Sequence, residues 1–172
     1  MSISSFLAFH RFEFPKYEHL ATKTCFEFES LAANIPGTRN KNLFLRDKKG
    51  HRHVLVVVQP TLEIDLDQLS TILGIKRLGF ASTERLRQYL GVESGSVSVL
   101  SLIHDQLNSV ELVIDQKIWN ADFIQAHPLI NTETVVIPKA ELKRFLAATG
   151  HQPTVLEIPG VLTHTREVIN QA

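Results

Sequence analysis

A β-hairpin is predicted by residues 40–58, which run NKNLFLRDKKGHRHVLVVV. Leu43 and Leu45 alternate with their neighbours in the first half, and residues 54–58 form an unbroken run of valine and leucine. A run this apolar is typical of a strand that is covered on both faces. Between the two halves DKKG supplies a turn, with Gly50 available for a left-handed backbone conformation. The hairpin therefore predicts a sheet that other elements cover.

Three helices are predicted from residues that commonly begin and end helices. The first has Asp65 as its N-cap and Gln68 as the capping-box partner. The second begins near Ser82 and the third at Pro138. A glycine closes each helix, and these are Gly74, Gly91 and Gly150. The apolar stripe of the first helix consists of Leu66, Leu69, Ile72 and Leu73.

Three further strands are predicted at residues 110–115, 134–137 and 154–158. The elements do not alternate regularly enough for a doubly wound parallel sheet. We therefore predict an α+β fold in which helices pack on one mixed sheet. A single domain is expected over residues 1–158, and residues 159–172 lack a clear periodicity and are expected to be a peripheral tail.

Composition excludes several classes of protein. The 172 residues include 18 basic and 18 acidic side chains, so the net charge is zero. Affinity for nucleic acid must then come from a local patch rather than from bulk positive charge. Cys25 is the only cysteine, which excludes an intrachain disulfide and a multi-cysteine zinc site, and we interpret it as a small buried apolar residue.

No long apolar segment or basic leader points to a membrane or to secretion. The most apolar stretch, residues 54–58, is far shorter than the ~20 residues of a membrane helix. We expect a cytoplasmic protein with no membrane partner.

The most basic stretch runs from Arg39 to Arg52 and contains one acid, Asp47. One interpretation is a solvated hairpin whose charges keep the turn soluble. The other is a patch for RNA phosphates, with Lys41 nearest the site because it precedes a buried strand.

Two loops offer weaker signals. Residues 95–99, GSVSV, are either a plain connection or a loop whose backbone N–H groups form an oxyanion hole. No base can be assigned to its serines, so we do not interpret them as nucleophiles. His127 before Pro128 is either a turn residue in solvent or a site histidine at a strand entrance. His51 and His53 could share a strand face, but without a third ligand we predict no metal site.

Three blocks of the sequence closely resemble the YbaK/prolyl-tRNA synthetase-associated editing-domain family, and within it the free-standing ProX (PrdX) branch of Ala-tRNA(Pro) deacylases. The blocks are NKNLFLRDKKGHRHVLVVV, LGFASTERLRQYLGVESGSVSVLSLIHD and HPLINTETVVI, and the match extends from about Tyr17 to Ile158. The resemblance implies a mixed, largely antiparallel sheet flanked by helices.

The resemblance also implies a trans-acting hydrolase that needs neither metal nor cofactor. Its substrate would be mischarged tRNA(Pro), most often carrying alanine, and prolyl-tRNA synthetase would be a second partner. Two alternatives stay open: a deacylase for another small amino acid, such as cysteine or serine, and a catalytically weak module that binds the tRNA or the synthetase.

The family's site residues map onto this sequence block by block. Lys41 matches the lysine that contacts the terminal adenosine and backbone of the substrate, with Asn42 beside it. His127 matches the histidine that lines the aminoacyl pocket, followed by Pro128 and Asn131. The loop whose amides hold the substrate carbonyl matches Gly95, Ser96, Val97, Ser98 and Val99.

Val99 departs from the family pattern, which has proline at this position. Proline fixes φ and makes a loop more rigid, so valine is expected to loosen the loop or to reshape the pocket. This departure is why the amino-acid preference stays open between alanine, cysteine and serine.

Overall fold

The computed structural model describes residues 1–21 and 34–163, which contain short strands and helices. The strands are β1 (Lys16–Glu18), β2 (Lys41–Arg46), β3 (His53–Val58), β4 (Leu62–Ile64), β5 (Gly79–Phe80), β6 (Val110–Asp115), β7 (Phe123–Ala126), β8 (Glu133–Pro138), β9 (Pro153–Leu156) and β10 (Gly160–Leu162). The helices are α1 (Ile3–Phe9), α2 (Leu66–Leu73), α3 (Thr83–Arg85, continued by a π-helical turn at Leu86–Leu90), a 3₁₀ helix (Val99–His104), α4 (Gln116–Asn120) and α5 (Lys139–Thr149).

The predicted hairpin lies at the centre of a five-stranded sheet of order β5-β2-β3-β6-β9. β2 and β3 pair antiparallel, with Lys41 opposite Val58, and Gly50 in their turn has φ +71°. β3 pairs parallel with β6, and β6 pairs parallel with β9. Every residue of β3 is buried, which confirms the prediction of a strand covered on both faces.

Two apolar clusters occupy the two faces of this sheet. Alternate residues of β3 point to opposite sides, so Leu55 and Val57 join one cluster and Val54 and Val56 join the other. The first, called here the main core, also takes in side chains from α3, α5, β7 and β8. The second is covered by α2, with Leu69 fully buried. Each fully buried aliphatic side chain stabilises the fold by about 1.5–3 kcal/mol.

The single predicted sheet is divided into three, although the α+β fold class is confirmed. Besides the five-stranded sheet there is an antiparallel sheet of order β1-β8-β7 and a pair formed by β4 and β10. The predicted strand at 134–137 belongs to the three-stranded sheet because it pairs with β7 and β1 and packs on the main core. Sequence patterns missed its partners because three or four residues are too few to show a period of two.

The predicted helix ends are confirmed in α2. Asp65 accepts the backbone N–H and the side-chain amide of Gln68, each at 2.9 Å, and Gly74 closes the helix with φ +62°. The predicted stripe was wrong at Ile72, which is 54% exposed. Ser70 is buried instead, because its hydroxyl donates to the Leu66 carbonyl oxygen and accepts the N–H of Leu78.

The other two predicted helices also form. Ser82 caps α3 by accepting the N–H of Arg85, and Gly91 closes its π-helical turn with φ +63°. Pro138 is the N-cap of α5 and Gly150 closes it with φ +76°. The apolar face of α5 is buried as predicted, through Leu142, Phe145 and Leu146.

The residues predicted as a tail begin with a strand. β10 pairs with β4, with Gly160 opposite Ile64, and a Cβ at Gly160 would lie 2.2 Å from the Glu63 carbonyl oxygen. Residues 164–172 and Cys25 lie outside the described residues. Within the described ranges, no helix has the length and apolar character to cross a bilayer.

The two ends of the five-stranded sheet differ in what they present. At one end, which we call the Lys41 end, lie the first residue of β2 and the carboxyl ends of β3, β6 and β9. At the other, the turn end, lies the hairpin turn at residues 47–52. Lys41 at one end and Lys48 and Lys49 at the other are therefore a strand length apart.

Candidate active site

Lys41 and Asn42 begin β2 directly after a segment that runs alongside β7. The Thr38 N–H donates to the Phe123 carbonyl oxygen at 2.8 Å, and the Gln125 N–H donates to the Thr38 carbonyl oxygen at 3.0 Å. These bonds extend β7 by one short parallel bridge. They bring the start of the first signature block next to the strand that leads into His127.

Asn40 connects the two segments through its side chain. Its Nδ2 donates to the Gln125 carbonyl oxygen at 2.8 Å, and its Oδ1 accepts from Asn42 Nδ2 at 2.9 Å. A single amide thus orients Asn42 and holds it beside β7. No sequence pattern indicates a role for Asn40 beyond its place next to Lys41.

His127 follows β7 and is half-buried, so the interpretation as a turn histidine in solvent was wrong. Its Nδ1 lies 3.1 Å from the Glu133 carbonyl oxygen. A carbonyl only accepts, so the ring proton lies on Nδ1. Burial lowers the pKa of His127, and the nearby His19 ring, 6.3 Å away between centroids, lowers this pKa further. Neutral imidazole is therefore the resting form near pH 7.

Pro128 and Asn131 lie in the turn after His127. Pro128 is buried and Asn131 is half-buried. Leu129 between them has φ +65°, a left-handed conformation that costs a non-glycine residue energy. The turn thus folds the predicted block back toward β8, where the Glu133 carbonyl oxygen meets the His127 ring.

Two buried side-chain oxygens in this region have no hydrogen-bond partner among the residues that the structure describes. They are Asn42 Oδ1 and Gln125 Oε1. Gln125 is 5% exposed, and its Nε2 donates to the carbonyl oxygens of Ile35, Pro36 and Gly37 at 2.9–3.2 Å. Since the amide nitrogen faces three acceptors, the assignment of oxygen and nitrogen is fixed. Buried acceptors are nearly always satisfied in native proteins, so these two call for a donor.

The loop at residues 95–99 is anchored at both of its ends. Gly95 has φ +90°, and the Ser96 N–H donates to the Glu93 carbonyl oxygen at 3.1 Å. Ser98 is fully buried and its hydroxyl accepts the N–H of Leu100, so it is a structural cap. Val99 is 3% exposed and is the first residue of the 3₁₀ helix.

Three consecutive amides of this loop could serve an oxyanion. Within the described ranges, the N–H groups of Val97, Ser98 and Val99 have no hydrogen-bond partner, whereas that of Ser96 is already engaged. Val97 and Val99 pack against the same main core as Ile124 and Ala126 of β7. Packing against the main core therefore holds the loop in position. The segments that carry Lys41, Asn42 and His127 are instead held together by hydrogen bonds.

The basic stretch does not form one continuous patch. Arg52 makes a two-point ion pair with Glu111, with N–O distances of 2.7 and 2.8 Å, and Arg46 donates to main-chain oxygens of the turn. Lys48 and Lys49 lie at the turn end, away from Lys41. The interpretation of a solvated hairpin therefore fits the turn. Of the basic stretch, only its first residues, around Lys41, lie at the candidate site.

The histidines at 51 and 53 have separate environments. His53 is 1% exposed, its ring stacks on Tyr89 at 3.9 Å between centroids, and Arg85 Nη1 donates to its Nε2 at 2.8 Å. His51 lies exposed in the turn. In the part of the chain described here, no three histidine, cysteine or acidic side chains come together as a metal site would require.

A buried pair that the sequence did not predict joins the start of β6 to the approach of β9. His151 Nε2 and Asp105 Oδ2 are 3.0 Å apart, and the same carboxylate accepts the N–H groups of Ser109 and Val110. The partners are 46 residues apart, which is why no local pattern indicates them. Because both of its carboxylate oxygens accept hydrogen bonds in this way, Asp105 has a structural role.

Comparison with known proteins identifies the family of this chain. A model of the aminoacyl-tRNA editing domain matches residues 19–145, a range that contains Lys41, the 95–99 loop and His127. The chain belongs to this family. The editing-domain assignment confirms the resemblance stated from the sequence blocks.

Relatives of the editing-domain family match over most of their length. The "Prolyl-tRNA editing protein ProX" of Acetoanaerobium sticklandii is 35% identical over 141 residues, covering 82% of this chain and 86% of that protein. The "Prolyl-tRNA synthetase associated domain-containing protein 1" of Danio rerio is 36% identical over 141 residues, covering 81% and 76%. A crystal structure of a candidate trans-editing enzyme for prolyl tRNA synthetase has a TM-score of 0.69 at 21% identity, covering 92% and 95%, and supports the fold.

Proposed function

We propose that this protein is a trans-acting editing enzyme that hydrolyses the ester between a wrong amino acid, preferentially alanine, and the 3′-terminal ribose of tRNA(Pro). The observation that carries the proposal is the Asn40 bridge, which brings Lys41 and Asn42 beside the strand of His127. The relative named as a prolyl-tRNA editing protein supports the choice of tRNA. Prolyl-tRNA synthetase as a second partner and a cytoplasmic location belong to the same proposal.

The chemistry requires little beyond positioning. An aminoacyl ester is already activated, so a water molecule can attack its carbonyl carbon once the ester is held in place. When water attacks, a C–O bond forms, the bond to the 3′ oxygen breaks, and that oxygen takes up a proton. Negative charge develops on the carbonyl oxygen, and the amides of Val97 and Ser98, which have no partner within the described ranges, are the donors that we assign to it.

The two unpartnered acceptors suit the other end of the substrate. The α-ammonium group of an aminoacyl ester has three N–H donors and no acceptor. Asn42 Oδ1 and Gln125 Oε1 are acceptors that no described residue donates to, and both residues are hydrogen-bonded to Asn40. We assign them to the α-ammonium group, because its binding would remove the cost of two buried unsatisfied oxygens.

Alanine is the expected amino acid on physical grounds. A synthetase pocket built for proline rejects the smaller alanine weakly, because the lost apolar contacts are worth only ~1–3 kcal/mol. A second site that admits the small side chain and excludes the larger one supplies the missing selectivity.

The experiment is a deacylation panel with the purified full chain on Ala-, Ser-, Cys- and Pro-tRNA(Pro). We expect fast loss of alanine and no effect on proline. If the cysteine or serine ester is hydrolysed faster than the alanine ester, that amino acid replaces alanine in the proposed substrate. Absence of hydrolysis on all four, with tRNA binding intact, would favour a binding module and overturn the proposed activity.

A further inference from the structure

A groove outside the candidate active site runs along α5 and the edge strand β9. Its volume is about 440 Å³, and it is lined by Trp119, Lys143, Leu146, Ala147, Gly150, His151, Gln152 and Pro153. Of these lining residues none carries a carboxylate. Trp119, the only tryptophan of the chain, is half-buried and packs partly against the main core, so the rest of its ring faces the groove.

Two lysines accompany the tryptophan ring. The ammonium groups of Lys139 and Lys143 lie over the Trp119 ring, 5.9 and 5.7 Å from its centroid, as cation–π contacts. The lysines are four residues apart on α5 and therefore lie on one face of the helix. Within residues 1–21 and 34–163, neither has a carboxylate partner, whereas Arg52, Arg87 and Arg144 are all paired with glutamates. Their charge is available to an anion.

The position of Trp119 links the groove to the candidate active site. Trp119 lies in α4, which follows β6 at the Lys41 end of the five-stranded sheet. β2 and β6 are separated by β3 alone, so two strand spacings, about 10 Å, lie between them. A polynucleotide whose 3′ end lies at Lys41 would cross this end of the sheet to reach Trp119, which packs on the main-core face.

We propose that Trp119, Lys139 and Lys143 bind an unpaired nucleotide near the acceptor end of the tRNA, with the base replacing the lysine ammonium groups over the indole and the lysines turning to its phosphates. The inference rests on the proposed function and adds a second contact to it. A chain of zero net charge must gain RNA affinity from such a local patch. An aromatic ring flanked by cations is the arrangement that unpaired nucleic acid recognises, since every base has a face to stack.

The test uses the fluorescence of Trp119, which as the only tryptophan reports on this site alone. Uncharged tRNA(Pro) transcript is titrated into the full chain, and binding is followed in parallel by the anisotropy of end-labelled tRNA. We expect saturable quenching of Trp119 emission with the same Kd in both measurements. Trp119→Ala should weaken binding about tenfold.

The lysine variants test the contact without disturbing the core. Lys143→Gln should weaken binding several-fold and lower the slope of log Kd against log salt by about one. Lys76→Gln is the matched control, because Lys76 is exposed beside Lys48 at the turn end. It removes the same charge from the other basic region and should leave Kd unchanged.

Three outcomes would overturn the inference. One is tRNA binding by anisotropy with no change in Trp119 emission, and another is weakening by Lys76→Gln but not by Lys143→Gln. The third is equal quenching by an acidic peptide of matched charge, which would indicate a protein partner. Deacylation of Ala-tRNA(Pro) is measured on the same samples, so failure of this contact with activity intact is distinct from failure of the proposed function.

Discussion

Asn40 Nδ2 donates to the carbonyl oxygen of Gln125 over 2.8 Å, and this bond joins the strand that begins with Lys41 to the strand that leads into His127. Asn40 and Gln125 are 85 residues apart in sequence, so no local contact holds their two segments together. The geometry of the candidate site therefore depends on a residue that none of the family blocks marks as functional.

We expect Asn40→Ala to lower the rate of Ala-tRNA(Pro) deacylation by about tenfold, because the rate depends steeply on how the reacting groups are positioned. Loss of the bond should also lower the free energy of unfolding by about 1 kcal/mol. Gln68→Ala is the control, since it removes a side-chain amide that bonds to Asp65 far along the chain at the α2 cap. Equal activity of Asn40→Ala and wild type would show that the bridge does not position the site.

Lys41→Ala should lower deacylation at least tenfold, which corresponds to about 1.4 kcal/mol of transition-state stabilisation. The reason is its place at the start of β2 beside the His127 segment, where a cation can hold the phosphate or adenosine of the substrate. Lys76→Ala serves as the comparison, with the same change at the turn end of the sheet. A folded Lys41→Ala protein with near-native rates would remove Lys41 from the site.

Local sequence patterns predicted the central elements because those elements carry their own signals. The hairpin has a turn glycine and a long apolar strand, and α2 has a cap and a closing glycine, all of which the structure contains. The short strand β7 carries no such signal, because its four residues FIQA show no clear alternation of apolar and polar side chains. The three-stranded sheet was missed for that reason.

The candidate site was accessible from the sequence only through the family blocks. Lys41 and His127 are each ambiguous alone, and their proximity is created by Asn40 and Thr38, whose contacts are long-range. Gln125 shows the limit most clearly. A glutamine in a short apolar strand looks like an exposed edge residue, yet it is 5% exposed and its amide binds three carbonyl oxygens.

The role assigned to Gln125 is tested by changing the substrate as well as the protein. Gln125→Met removes the unpartnered oxygen while keeping a side chain of similar length. We expect it to slow hydrolysis of Ala-tRNA(Pro) more than that of the lactyl ester, in which a hydroxyl replaces the ammonium group. Comparing the two substrates separates the lost acceptor from any shift of residues 35–37, which would affect both esters equally. An equal effect on both would contradict the assignment.

The stability of the fold should fall as the pH drops below 6.5. Burial, followed by the Arg85 guanidinium, lowers the pKa of His53 below its ordinary value of 6.5. The unfolded chain then binds a proton near pH 6.5 and the folded chain only at lower pH, so acidification favours unfolding. Urea unfolding at pH 7.5 and 5.5 measures the difference. His53→Gln keeps an acceptor for Arg85 but cannot titrate, and should reduce the loss; an unchanged loss would exclude His53 as its source.

Val99 is the position at which this chain departs from the family proline, and the structure shows what a proline would meet there. Val99 is the first residue of the 3₁₀ helix, and within the described ranges its N–H has no hydrogen-bond partner. The first helical position tolerates proline, because its N–H lacks an intrahelical acceptor and helical φ matches the ring. We therefore expect Val99→Pro to fold and to retain or raise Ala-tRNA(Pro) deacylation, because a more rigid loop loses less freedom when substrate binds.

The same substitution decides between two uses of the loop. If Val97, Ser98 and Val99 all donate to the oxyanion, then proline removes one of three donors and the rate falls by about 10²–10³. If the donors are Val97 and Ser98 alone, the rate holds or rises. Val99→Ala is the control, because it keeps the N–H and trims a side chain that is 3% exposed, so it costs stability without removing a donor. Deacylation rates of both variants, measured at equal folded fraction, separate the N–H of Val99 from its packing. A loss in Val99→Pro with Val99→Ala active would assign the N–H of Val99 to the reaction and explain why valine stands there.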